Sequence, residues 1–123
     1  CVDSLGVFTG NIILNGGTIC NRGIFSPVSI TFTSGTFHNY GNAQLSSNPA
    51  FGTSVSWNNY GGAILNLNGS LTVSGGSVSN DGIINIGSTL TFSSGTFSNT
   101  NIINCATLSG SATITNTGII NSN

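Results

Sequence analysis

Few residues in this 123-residue chain can do acid–base, redox or charge-recognition chemistry: Asp3, Arg22, His38 and Asp81, together with Cys1, Cys20 and Cys105. Cleaving a polysaccharide or an ester needs ionisable groups gathered as a carboxylate pair, a triad or a metal cage, because proton abstraction and charge stabilisation depend on them. Here Asp3, Arg22, His38 and Asp81 fall in different repeats and different columns of the repeat. His38, between Phe37 and Asn39, fits an outward-facing imidazole, and Asp81, beside Gly82, fits turn chemistry. No catalytic, cofactor or metal set assembles, and a non-enzymatic role is expected. One basic residue and a net charge of −1 deny nucleic acid its electrostatic term. No run of eighteen apolar residues marks a transmembrane helix.

Cysteine leaves one covalent chemistry open, that of cross-links. The chain begins with Cys1 and contains no Met, which fits a mature chain after leader removal, with export to an oxidising milieu. Cys20 stands nineteen residues after Cys1, one repeat away on the same outward column and within reach of a disulfide. Cys105 falls in the inward column of Leu65 and Ile86, where a buried thiol is expected. A link from Cys1 to Cys105 or Cys20 of a neighbouring copy, or a lipid on Cys1, are the alternatives. Three cysteines are an odd number, so at least one is free, lipidated or paired between chains.

What positions these residues is a repeat. "TFTSGTFHNYG" at 31–41 returns as "TFSSGTFSNTN" at 91–101, and intermediate copies align on an asparagine. The anchors Asn21, Asn39, Asn59, Asn80, Asn99 and Asn116 are spaced by 18, 20, 21, 19 and 17 residues. A period in this range marks a solenoid. The chain has no Glu or Lys and is rich in Gly, Ser, Thr, Asn, Ile, Val and Phe, which argues against helix. Within "SLTVSGGSVSNDGIINIGS" (70–88), alternation puts Leu71, Val73, Val78, Asn80, Ile84 and Ile86 on one side and Thr72, Ser79 and Asn85 on the other. Three short strands joined by turns make one coil of a β-helix.

The expected fold is therefore all-β, a single-stranded parallel β-helix of about six coils, forming one domain over residues 1–123. Ile19, Phe37, Trp57, Val78, Phe97 and Ile114, two residues before each Asn, form one inward row. Phe25, Ala43, Ala63, Ile84, Ile103 and Ile120, four residues after it, form a second. The strand upstream supplies a third, from Ile12 and Leu14 to Leu90 and Phe92. The six asparagines should stack as a structural ladder. Gly23, Gly41, Gly61, Gly82 and Gly118, two residues after the Asn, are expected to supply a positive φ, with Asn101 in that slot in the fifth copy. Pro27 and Pro49 mark the coils expected to bulge.

The phrase "LTVSGGSVSNDGIINIGSTLTF" and its N-x-G-x-I core resemble the repeats of filamentous haemagglutinin-type adhesins and related secreted right-handed β-helix proteins. The resemblance extends over nearly the whole chain and implies a right-handed coil and an extracellular location.

No helix or polar cap covers either end in this sequence, so both ends read as cut coils: Val2, Leu5 and Phe8 at one, Ile119 and Ile120 at the other. An uncapped end presents unpaired backbone groups to a matching end. Only 2% of residues are charged, far below the usual surface quota. The expected function is the subunit of an extracellular filament, a homopolymer built by head-to-tail stacking. Two alternatives stand beside it. One is an adhesin segment in which Tyr40 and Tyr60 meet a glycan or host surface. The other is an ice-binding solenoid, whose outward hydroxyl files are broken at Phe51 and Leu108.

Overall fold

The computed structural model describes residues 6–123. In these residues the chain winds as a parallel β-solenoid of about six coils, with no helix. Thirteen strands follow one another among the described residues: β1 (Val7–Phe8), β2 (Asn11–Asn21), β3 (Ile24–Phe25), β4 (Ser29–Asn39), β5 (Asn42–Leu45), β6 (Ala50–Phe51), β7 (Val55–Asn59), β8 (Ile64–Leu67), β9 (Leu71–Asn80), β10 (Ile83–Asn99), β11 (Ile102–Gly110), β12 (Ile114–Asn116) and β13 (Ile119–Ser122). The longer strands bend round a corner, so each coil contributes to three faces.

Like stacks on like. On the first face Leu71, Leu90 and Leu108 are in register, as are Phe51, Val73 and Phe92. On the second, Ile19, Phe37, Trp57, Val78, Phe97 and Ile114 form one unbroken column, as the spacing predicts. On the third, Phe8, Phe25, Ala43, Leu65, Ile84, Ile103 and Ile120 align. Leu65 stands in this row where sequence spacing places Ala63. The turn after Asn59 carries two more residues than the one after Asn39, and Gly62, at φ 84°, absorbs them. Ala63 is nevertheless fully buried. Ile84, Leu90, Phe97 and Ile103 are also fully enclosed, and each such side chain contributes roughly 1.5–3 kcal/mol of burial.

Aromatic rings fill the first half of the core. Trp57 stacks on Phe37 with centroids 4.1 Å apart and touches Phe51 and Phe32, each at 5.3 Å. Its indole N–H is buried without an acceptor. The segment around Pro49 departs from the regular coil: β6 pairs with β9, not β4, and Gly52 and Val55 close a tight turn before Trp57 rejoins its column. The Pro27 segment likewise interrupts the strands and leaves Val28 71% exposed. Both bulges fall where proline predicts them.

Two sequence-based expectations need correction. The glycines two residues after the ladder asparagines do not have positive φ; among the described residues the positive-φ positions are other glycines, such as Gly16, Gly35 and Gly95. Clearance explains the column better. A methyl at Gly41 would overlap the carbonyl oxygen of Gly23, one at Gly82 those of Ala63 and Tyr60, and one at Gly118 that of Asn101. At these three positions the neighbouring coil, about 4.8 Å away, leaves no room for a Cβ, whereas Gly61 is clear of its neighbours and Asn101 fills the slot in the fifth copy. Nor do Phe51 and Leu108 break the hydroxyl files: both lie in inward columns, opposite Val73 and Leu90. Thr72, Thr91 and Ser109 form one outward run that meets Ala50 at its end, and Thr31 lies beside Ile13.

Trp57→Ala should destabilise by about 3–5 kcal/mol, whereas Trp57→Phe should cost less than about 1.5 kcal/mol, because it keeps the ring stack and removes the orphaned N–H. Equilibrium unfolding in denaturant measures both; equal losses would place Trp57 outside the packed column.

Candidate functional site: stacked columns on the solenoid

Two residues past the second-face apolar row, the six asparagines occupy one column, as expected. Each Nδ2 donates to the next Oδ1: Asn21 to Asn39, Asn39 to Asn59 and Asn59 to Asn80 at 2.8 Å, then Asn80 to Asn99 and Asn99 to Asn116 at 2.7 Å. The second amide proton reaches a backbone carbonyl of the following turn, at 3.1 Å for Asn42 and 3.0 Å for Ile64. At the first rung, Asn21 Oδ1 accepts from the Gly23 N–H at 3.1 Å. Backbone partners thereby fix which end of each amide is oxygen. Asn21 to Asn99 are buried, and only polar groups fully satisfied in this way can remain in an apolar core without a penalty of several kcal/mol.

A second amide column escaped the sequence reading. On the outward side of the third face, Asn121 donates to Asn104 at 2.8 Å, Asn104 to Asn85 at 2.7 Å and Asn85 to Asn66 at 2.8 Å. Its donors point toward the chain's start, opposite to those of the buried ladder. The signal was present: an Asn five residues past the anchor in three copies (Asn85, Asn104, Asn121), and seven past it in the copy with the longer turn (Asn66). Outward position drew attention away from it.

The titratable groups gather more closely than the sequence implies. Arg22 and Asp81, read as lying in different columns, share the position after the ladder Asn, with Tyr40 and Tyr60 between them; backbone bonds from Tyr40, Tyr60 and Asp81 to Asn21, Asn39 and Asn59 set that register. The tyrosine rings stack at 4.2 Å and 3°, and the Arg22 guanidinium lies 5.4 Å from the Tyr40 centroid. Tyr60 also meets His38, Oη to Nδ1, at 2.9 Å, and Asp81 accepts from Thr100 Oγ1 at 2.7 Å. A hydrogen bond with Tyr40, then burial, pushes the Tyr60 hydroxyl pKa up. Three coil spacings, about 14 Å, separate the columns' levels of Arg22 and Asp81, too far for one pair to act on one reacting group. Among the described residues no three of His, Cys, Asp and Glu group as a metal cage.

Every expected cross-link involves Cys1, which lies outside the described residues. Cys20 and Cys105 are both free, Cys20 beside His38 on the outward surface and Cys105 buried in the column of Leu67 and Ile86, where Leu67 stands two residues past the expected neighbour Leu65. The Cys105 thiol faces the Asn121 carbonyl at 3.8 Å, and burial pushes its pKa up. Cys1, Asp3, Val2 and Leu5 lie outside the described residues. Of the other expected end residues, Phe8 stacks on Phe25, Ile120 is partly buried and Ile119 is 55% exposed. No helix among the described residues is long and apolar enough to cross a membrane.

Asn80→Ala should cost about 1–2 kcal/mol more than Asn85→Ala, since it strands buried partners on both sides, while water reaches those of Asn85; comparable losses by thermal and chemical unfolding would count against a dominant inner ladder. A thiol held protonated is a poor nucleophile, so in the native protein iodoacetamide should modify Cys20 and spare Cys105 until denaturant is added, as read by mass spectrometry. No family model, no curated protein and no solved structure matches the sequence.

Proposed function

We propose that the chain is a structural β-solenoid that builds a fibre outside the cell, its copies stacking end to end as its own coils do. The observation that carries this reading is the coil-to-coil interface of the second face, where backbone, buried amide and apolar row meet their equivalents at every level. A coil supplied by another copy satisfies the same groups as the next coil of the same chain. The open contact is heterologous, so repetition gives a filament. The scarcity of charge supports the reading, since little self-repulsion opposes association.

An adhesin role finds less support, because the Tyr40–Tyr60 ring faces, which would stack on a sugar, are turned on each other and toward Arg22. Ice binding finds less still, with the hydroxyl run ending at Ala50 and Thr31 beside Ile13.

Electron microscopy and fibre diffraction of the purified chain test the proposal. The expected outcome is filaments with a meridional reflection at about 4.8 Å that persist in about 1 M salt, because backbone bonds and apolar contact are not screened. Ile120→Asp should suppress them while the monomer still melts cooperatively. A monodisperse monomer by sedimentation at high concentration, in every condition tried, would sink the idea.

A further inference from the structure

The outward side of the third face carries a stripe that a freely soluble rod has no use for. Ile64, Ile83, Ile102 and Ile119 stand in register on the outer surface, each one residue before an inward Leu or Ile. The first three are half-buried by their neighbours along the stripe, and Ile119 is 55% exposed. Asn42 continues the column and separates the stripe from Ile24, 49% exposed at the next level. Alongside runs the outer amide ladder. No outward residue of β5, β8, β11 or β13 is charged, and none is proline. Arg22, His38 and Asp81 all lie on the second face or its corner. A contiguous apolar stripe beside polar residues, with no charge among them, marks a contact surface.

We infer that this face is a lateral interface for a second copy of the same chain, which pairs solenoids side by side within the proposed fibre; the inference rests on the end-to-end reading above. Two copies carry the same coil spacing, so aliphatic and amide columns stay matched along their whole length, as in a dry zipper of identical sheets. An amide that donates one proton along its ladder keeps another proton and a lone pair for the ladder opposite. A lipid surface would call for basic residues to draw it in, and this face has none.

Area sets when pairing occurs. A face about 29 Å tall and about 13 Å wide gives roughly 750 Å² for both copies together, below the roughly 1,200 Å² of a stable specific contact. Single subunits pair weakly. Three subunits stacked end to end on each side exceed about 2,000 Å² and pair firmly, so lateral association follows axial stacking.

The test uses the full chain with Cys1 and Cys20 replaced by serine, carrying either Asn85→Cys on this face or Thr91→Cys on the first face, under mild oxidation. The expected result is a reducible dimer formed about tenfold more readily with Asn85→Cys. Microscopy should show paired filaments, which Ile83→Lys with Ile102→Lys converts to single filaments of unchanged melting temperature. Equal cross-linking at both positions, or pairs that persist in the double-lysine variant, overturns the inference and leaves end-to-end stacking intact. Cross-linking specific to Asn85→Cys without any filament overturns the inference as well, because pairing would then precede stacking and not follow it. Retention of the parent chain on insoluble polysaccharide or neutral vesicles, lost in the double-lysine variant and with no dimer at Asn85→Cys, gives the stripe to another occupant and overturns it too.

Discussion

The buried asparagine ladder is the constraint around which the rest of the solenoid is arranged. An amide inside an apolar core is tolerable only when donors and acceptor are all satisfied, and here each is satisfied by the coils above and below. That fixes one residue per coil in height and in rotation. The apolar residue two positions earlier must then point inward, and the glycine two positions later must let the next backbone pass close by. The glycine of the N-x-G motif is thus a packing requirement at Gly41, Gly82 and Gly118, and the requirement is relaxed at Gly61 and Asn101.

With the ladder residue fixed, variation in coil length is absorbed in the turns between strands. Anchor spacings range from 17 to 21 residues, yet the asparagines remain in register. The surplus residues of the long coils are taken up in the turn at Gly62, just past the ladder residue Asn59, and in the segment around Pro49 on another side of the coil. Coils of unequal length can therefore share one core, provided inward residues realign before the next shared level, as Trp57 and Leu65 do.

The parts of this architecture legible from the sequence were those with a fixed offset from the anchor. The ladder and the Phe37–Trp57–Phe97 column could be read directly, because no insertion separates them from the Asn. The third-face row could not be read correctly at Ala63, since two extra turn residues moved the inward position to Leu65. Glycine was assigned to the right places for the wrong reason: a sequence shows that a Cβ is absent but not whether dihedral or clearance demanded it. The columns of Arg22 and Asp81 and the outer amides were hidden because outward residues leave no periodic apolar signal. Their meaning lies in neighbours about nineteen residues away.

The uneven distribution of rings has a consequence for how the chain reaches this state. Phe25, Phe32, Phe37, Phe51 and Trp57 meet within the first coils, while the later coils hold mostly aliphatic side chains and the Phe92–Phe97 pair. Every coil must close a loop of about one repeat before its contacts reward it, and the largest reward per closure lies where the aromatic rings are. Folding of a quasi-one-dimensional stack nucleates at its most favourable neighbouring pair and propagates outward. The order of events is thereby polarised along the rod: the aromatic coils close first and serve as the template on which the aliphatic coils, the last to emerge during synthesis, are laid down in turn.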